Sequence, residues 1–88
     1  MELVRGQIVT SRRGRDVTKT YVVLEANGDR VLVCDGKKRT LEAPKGKNPR
    51  HIQPTNTILP PGEMETDLTI KRALAAYEQQ RTHEKQGG

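Results

Sequence analysis

The 88-residue sequence predicts a mainly β protein, in which a small five-stranded antiparallel barrel precedes a linker and one amphipathic C-terminal α-helix. Short β-branched segments recur closely through residues 1–55 and are separated by turns that contain glycine, which is typical of small antiparallel sheets. Closure into a barrel is favoured because it leaves no exposed strand edge. Beyond residue 65, apolar side chains recur at helical spacing instead.

Three strands are predicted at the start of the chain. Gly6–Ser11 alternates polar and apolar side chains and carries β-branched residues at its centre. The second strand, Thr20–Ala26, is apolar on both faces at its centre. It reverses through Asn27-Gly28, a dipeptide that favours a type I′ hairpin turn because both residues tolerate positive φ. The third strand is therefore placed at Asp29–Asp35.

The dipeptide Asp35-Gly36 predicts a second reversal, which leads into a fourth strand at Lys37–Ala43. Pro44–Arg50 contains prolines and a glycine and is therefore expected to be a loop. His51–Pro54 is expected to close the barrel as a short fifth strand, since proline is tolerated at the end or edge of a strand. The barrel domain is thus predicted over residues 1–55.

The rest of the chain is predicted to hold a linker, a helix and a tail. Leu59–Gly62 bars regular structure, so residues 56–65 are expected to form the linker. Thr66 is suited to cap a helix over residues 66–80. Its apolar stripe consists of Ile70, Ala73, Leu74 and Tyr77. We expect the stripe to dock on the barrel or on a partner, because a lone helix is marginal in water, and residues 81–88 to form a disordered tail.

The composition argues against an enzyme. A chain with 2% aromatic residues cannot build the deep, dry cleft that most enzymes use, and no set of catalytic residue types is evident. Cys34, His51 and His83 are scattered rather than paired at ligand spacing, so we expect no metal or other cofactor. A lone cysteine suits the reducing cytoplasm, and no apolar run approaches the roughly 20 residues of a membrane span. We therefore expect a cytoplasmic protein with no membrane partner and no small-molecule substrate.

The net charge of +5 is confined to the predicted barrel domain. Twelve Lys and Arg residues stand against six Asp and Glu residues in the first 55 positions, a net charge of +6. The remaining 33 positions carry four bases and five acids. Concentrated positive charge on a small domain indicates a polyanionic partner, nucleic acid before membrane. The alternative, that this charge serves solubility alone, stays open at this point.

Phosphate binding is the chemistry that the basic segments favour. Arg12, Arg13 and Arg15 flank Gly14 on one loop, where glycine lets backbone amides approach a phosphate closely. We expect this loop, the second turn and the proline-containing loop to converge at one end of the barrel, whereas Lys71 on the charge-balanced helix is expected to contribute little. The predicted RNA-binding residues are Arg12, Arg13, Gly14, Arg15, Lys19, Lys37, Lys38, Arg39, Lys45, Lys47, Asn48, Arg50 and His51.

Recognition of single-stranded bases is poorly equipped. Aromatic platforms for bases contribute about 1–3 kcal/mol per stacked base. The barrel region holds only Tyr21, which we expect to serve the core. Binding should therefore depend on phosphate, sugar and shape, which favours folded RNA.

Two stretches at the start of the chain, Val4–Asp16 and Tyr21–Glu25, resemble a KOW motif. That motif pairs a strand opening with a glycine (Gly6), a basic turn holding a second glycine (Gly14) and a β-branched return strand. The basic run after residue 36, Lys47–Thr55 and the helix around residues 70–74 are similar to the small bacterial KOW-domain RNA-binding proteins of many Firmicutes. Those proteins look like relatives of archaeal and eukaryotic large-subunit ribosomal proteins, and the resemblance spans about residues 2–77.

The resemblance implies an SH3-like barrel that binds RNA, ribosomal RNA in the best-understood cases, without catalysis or a cofactor. The large ribosomal subunit is an expected partner, but a stable role in that subunit is not implied. It matches the motif's basic turn to residues 12–15 and a second basic segment to Lys47, Asn48, Arg50 and His51. Asp16–Lys19 makes the turn longer and less glycine-rich than in ribosomal KOW proteins.

The alternative function is a protein-interaction module of the translation or transcription machinery, since KOW domains of transcription elongation factors bind RNA polymerase or ribosomal proteins. A peptide groove favours aromatic walls, which the barrel region lacks, so RNA leads. Duplex DNA is the weakest partner because no helix suited to a groove is evident.

Overall fold

The described part of the chain forms a five-stranded antiparallel sheet and a C-terminal helix, as predicted. The computed structural model describes residues 2–12 and 19–87, and the side chains only as far as residue 80. The strands are β1 (Gln7–Ser11), β2 (Thr20–Asn27), β3 (Arg30–Cys34), β4 (Lys45–Lys47) and β5 (Ile52–Ile58), and the helix is α1 (Asp67–Gly87). Short 3₁₀ turns at Pro49–His51 and Pro61–Met64 precede β5 and α1.

The strands form one sheet in the order β4-β3-β2-β1-β5, so β5 returns to the edge next to β1. The hairpin between β2 and β3 is confirmed, but its turn differs from the predicted one. Asn27 is still in the strand, opposite Arg30, and Gly28 takes the first central position with a φ of 53°. That position of glycine is typical of a type II′ turn. Within the described residues no non-glycine has a positive φ, which excludes the predicted type I′ turn there.

The predicted fourth strand at Lys37–Ala43 is wrong. Asp35 Oδ1 accepts the backbone N–H of Lys37 (2.8 Å) and of Arg39 (3.0 Å), which closes this segment into a local turn. A side chain that captures backbone N–H groups in this way competes with strand pairing. β4 instead lies within the segment predicted to be a loop, where Gly46 is opposite Leu32 of β3.

The fifth strand is confirmed and runs through Ile58, past its predicted end at Pro54, into the segment predicted to be a linker. The pairing of β1 with β5 is irregular between Gln7 and Val9. Thr55 stabilises this irregularity, because its Oγ1 donates to the carbonyl of Ile8 (2.7 Å) and its own carbonyl accepts from Gln7 Nε2 (2.9 Å). Proline at position 54 is tolerated because β5 is an edge strand.

Apolar side chains are buried on both faces of the sheet. Successive residues along a strand point to opposite faces, so a single strand can contribute to two cores. One core lies between the sheet and α1, and its buried members are Ile8, Val22, Cys34, Leu59, Met64, Ile70 and Leu74. The second core, on the opposite face, is formed by Val9, Tyr21, Val23, Val31, Val33 and Ile52. β2 contributes to both cores, which agrees with its prediction as a strand apolar on both faces.

Helix α1 begins as predicted, with Thr66 as its cap: the Oγ1 of Thr66 accepts the backbone N–H of Thr69 (3.1 Å). Ile70 and Leu74 are buried against the sheet, so the apolar stripe docks within the chain. The helix continues to Gly87, past its predicted end at residue 80. No helix in the described part of the chain combines the length and the hydropathy needed to span a bilayer.

Candidate nucleic-acid interface

The end of β1 and the 3₁₀ turn before β5 lie side by side. The backbone N–H of Arg12 donates to the carbonyl of His51 (2.8 Å), next to the pairing of Ser11 with Ile52. Arg12 and His51, which are far apart in the sequence, are thereby neighbours. We call this region the β1–β5 corner; its predicted site residues are Arg12, Lys47, Asn48, Arg50 and His51.

Asn48 shapes the corner. Its Oδ1 accepts the backbone N–H of Arg50 (2.9 Å), and its carbonyl accepts the N–H of His51 (2.9 Å). Pro49 occupies the first position of the 3₁₀ turn, where its restricted φ suits a helical start. Arg50 therefore projects from a rigid turn with an exposed side chain, and Asn48 is a positioning residue for it.

Lys47 is held inward rather than extended into solvent. Its Nζ lies 5.2 Å from the centroid of the Tyr21 ring and 3.3 Å from Ser11 Oγ. A cation at that distance from an aromatic ring is attracted to it electrostatically. Tyr21 is only 2% exposed, so it is a core residue, as expected, and offers no platform for a base. Ser11 and Tyr21 are supports that the sequence analysis missed, since neither belongs to a basic run.

Most of the other described bases that were predicted as site residues lie around the turn after β3. Lys19, Lys37 and Lys38 are exposed and line a groove between this turn and α1. Lys71, on α1, lines the same groove. We call these four residues the lysine groove. The expectation that Lys71 contributes little to RNA binding stays a prediction, although the docked helix places this residue beside the turn after β3.

The turn and the helix are in close contact at Gly36, whose φ is 79°. A Cβ at this position would overlap the carbonyl oxygen of Asp67 and would lie 2.9 Å from the backbone N of Lys71. Asp67 Oδ1 also accepts the backbone N–H of Leu41 (2.8 Å). The first turn of α1 therefore fixes the position of the turn after β3 and, with it, the width of the lysine groove.

The corner and the lysine groove are adjacent across β1 and β2, because the backbone N–H of Ser11 donates to the carbonyl of Lys19 (3.1 Å). Arg39 is exposed on the turn, and Lys45 is half-buried on β4 opposite Val33. The predicted site residues Arg13, Gly14 and Arg15 lie outside the described residues.

Cys34 is the last residue of β3 and is fully buried in the core between the sheet and α1. Burial, with the carboxylates of Asp67 and Asp35 as smaller causes, raises the pKa of its thiol to about 11. The thiol is therefore protonated at neutral pH and is not a nucleophile there. Among the residues that the structure describes, no three His, Cys, Asp or Glu side chains are grouped as metal ligands would be.

The β1–β5 corner and the lysine groove thus place most of the described predicted site residues around one end of the β1–β2 pair. No protein-family model matches the chain, and no curated protein matches its sequence. The resemblance to KOW proteins accordingly stays a prediction, and the function has to be inferred from the basic residues that the fold brings together.

Proposed function

We propose that this protein is a non-catalytic RNA-binding protein that contacts structured RNA, ribosomal RNA in particular, through phosphate and shape recognition by its basic segments. The observation that carries the proposal is the β1–β5 corner. There the backbone of Arg12 is hydrogen-bonded to that of His51, so that two basic segments can contact one ligand.

The connection between β4 and β5 supports an SH3-like barrel as the fold that builds this corner. These strands are at opposite edges of the sheet but are joined only by residues 48–51. In a flat sheet, four strand spacings of about 4.8 Å would separate them by about 19 Å. A short connection with a 3₁₀ turn, at about 2 Å of rise per residue, spans less than that. A curled sheet is therefore favoured, and it also accounts for the burial of the second core, on the face opposite α1.

The exposed side chains of the corner favour phosphate over base recognition. Arg12 and Arg50 are exposed, and the guanidinium group can bind a phosphate through two parallel hydrogen bonds. Tyr21 is buried and cannot stack on a base. Contacts of this kind select the spacing of phosphates in a folded RNA rather than a base sequence.

Neutralising the corner tests the proposal. We expect Arg12→Gln and Arg50→Gln each to weaken binding to a structured ribosomal RNA fragment, and each to reduce the slope of log K against log salt by about one. Arg72→Gln is the matched control, because it removes one exposed charge from α1 outside the corner and the lysine groove. Fluorescence anisotropy titrations at several salt concentrations measure both quantities. Wild-type affinity in both corner variants, with unchanged melting curves, would show that the corner does not bind RNA.

A protein-interaction module of the translation or transcription machinery is the second candidate, and one observation favours it. A groove between α1 and the segment before it is lined by Leu59, Ala73, Ala76 and Tyr77, so the protein has an aromatic wall outside its strands. Sedimentation with ribosomes separates the two functions. Co-sedimentation that persists in the Arg12→Gln/Arg50→Gln double variant, after its RNA affinity is lost, would favour the protein contact.

A further inference from the structure

The lysine groove carries more positive than negative side chains. Among the residues that the structure describes, four lysines line it, and Asp35 and Glu78 are the acids in its wall. Asp35 is 9% exposed and accepts two backbone N–H groups through Oδ1. Glu78 accepts a hydrogen bond from Thr20 Oγ1. Four lysines and two carboxylates give these six side chains a net charge of +2.

The walls of the groove are held together by contacts between the turn after β3 and α1. Gly36 lets the turn after β3 approach the backbone of α1 closely, and Asp67 Oδ1 accepts the backbone N–H of Leu41. Leu74, 3% exposed, joins the lysines in the lining and anchors this part of α1 to the sheet. Lysine ammonium groups on a fixed frame bind a phosphate as point charges, each with three donors.

We propose that the lysine groove binds a backbone phosphate of the RNA and that Lys71 is a further binding residue, which makes the docked helix part of the RNA interface. This inference rests on the proposed function. It adds to the proposed interface a lysine that was expected to contribute little, because the charges of the helix are balanced. The groove is reached from the β1–β5 corner across the Ser11–Lys19 hydrogen bond, so one RNA backbone can follow both.

Neighbouring positions of α1 supply the test. Lys71→Gln and Arg72→Gln each remove one positive charge from an exposed helical site, but only Lys71 lines the groove. With a structured ribosomal RNA fragment as the probe, we expect Lys71→Gln to weaken binding severalfold and to lower the salt slope by about one. Arg72→Gln should leave both unchanged, and Lys71→Arg should retain binding because it keeps the charge. Thermal melts establish that each variant is folded.

The outcomes separate this inference from the proposed function. Wild-type affinity in both Lys71→Gln and Arg72→Gln, in a protein whose binding still depends on Arg12 and Arg50, would overturn the groove and leave the corner intact. Loss of affinity in Lys71→Gln alone supports the groove. Equal losses in Lys71→Gln and Arg72→Gln would indicate a general effect of net charge and would overturn the groove as a site. Absence of RNA binding by the wild-type protein would overturn both proposals.

Discussion

Gly28 and Gly36 both have a positive φ, but only Gly36 is in contact with another element. A Cβ on Gly28 would have no heavy atom within 4 Å, whereas one on Gly36 would overlap the backbone of α1. The first position therefore requires glycine only for its backbone conformation. The second requires it also for space.

Alanine substitution separates these two requirements. Gly28→Ala should cost about 1–3 kcal/mol in the free energy of unfolding, which is the usual penalty for a non-glycine residue in a sparsely populated backbone region. Gly36→Ala should cost distinctly more, because the turn or the helix must also move away. Urea unfolding of the two variants measures the difference. Similar losses of stability would mean that α1 does not press on the turn as the structure describes.

At the level of elements, α1 is held by its buried stripe. Leu74 is 3% exposed within the first core, while Leu68, one and a half turns earlier, is 53% exposed. We expect Leu74→Ala to lower the free energy of unfolding by about 2–5 kcal/mol, the usual range for truncation of a packed leucine. Leu68→Ala is the control and should change it by about 0.5 kcal/mol or less. If the two variants melt alike, the helix does not contribute to the fold.

The elements that the sequence predicted best are those set by local chemistry. β1 follows from its alternation of polar and apolar residues, and β2 from its apolar centre. β3 follows from the Asn-Gly signal, even though the turn proved to be shifted by one residue. Thr66 was a readable cap because it offers an oxygen to the N–H of the third helical residue. Each of these features depends on neighbours within a few positions.

What could not be predicted depends on contacts between distant residues or on competition among near ones. The fourth strand failed because the Asp35 side chain, rather than a strand, takes the backbone N–H groups that follow it. The position of Lys71 in the lysine groove was not predicted, because the net charge of a segment does not tell which face of a helix packs beside the turn after β3. Its position beside the buried Ile70, and one turn before Leu74, was the available signal, since a residue at the margin of a docking face lies near the neighbouring element.

At the scale of the whole molecule, the positive charge is distributed unevenly along the chain. The first 55 residues carry a net charge of +6, while the remainder of the chain carries −1. A field concentrated on one part of a small protein attracts a polyanion and orients it on approach. The partner's affinity should then depend on the release of counterions from its phosphates.

We therefore expect the logarithm of the RNA association constant to fall linearly with the logarithm of the salt concentration, with a slope that reflects several phosphate contacts. Filter-binding titrations of the wild-type protein over a range of salt concentrations measure this slope. A response that is flat with salt would contradict binding through phosphates, and would favour contacts made by apolar or neutral polar groups.

The pairing of β1 with β5 has a consequence for the lifetime of the folded state. It joins residues separated by 47 positions, as in the contact between Thr55 and Ile8, so it closes a far longer loop of chain than the β2–β3 hairpin does. Pairings of such high contact order are the slow step in forming small β proteins, because the entropy of loop closure is lost before the contacts are gained. An RNA that contacts Arg12 and Arg50 together would bridge the two strands at this seam. The ligand would then hold together the two strands whose paired residues are farthest apart in the sequence. The bound protein would therefore unfold more slowly than the free protein.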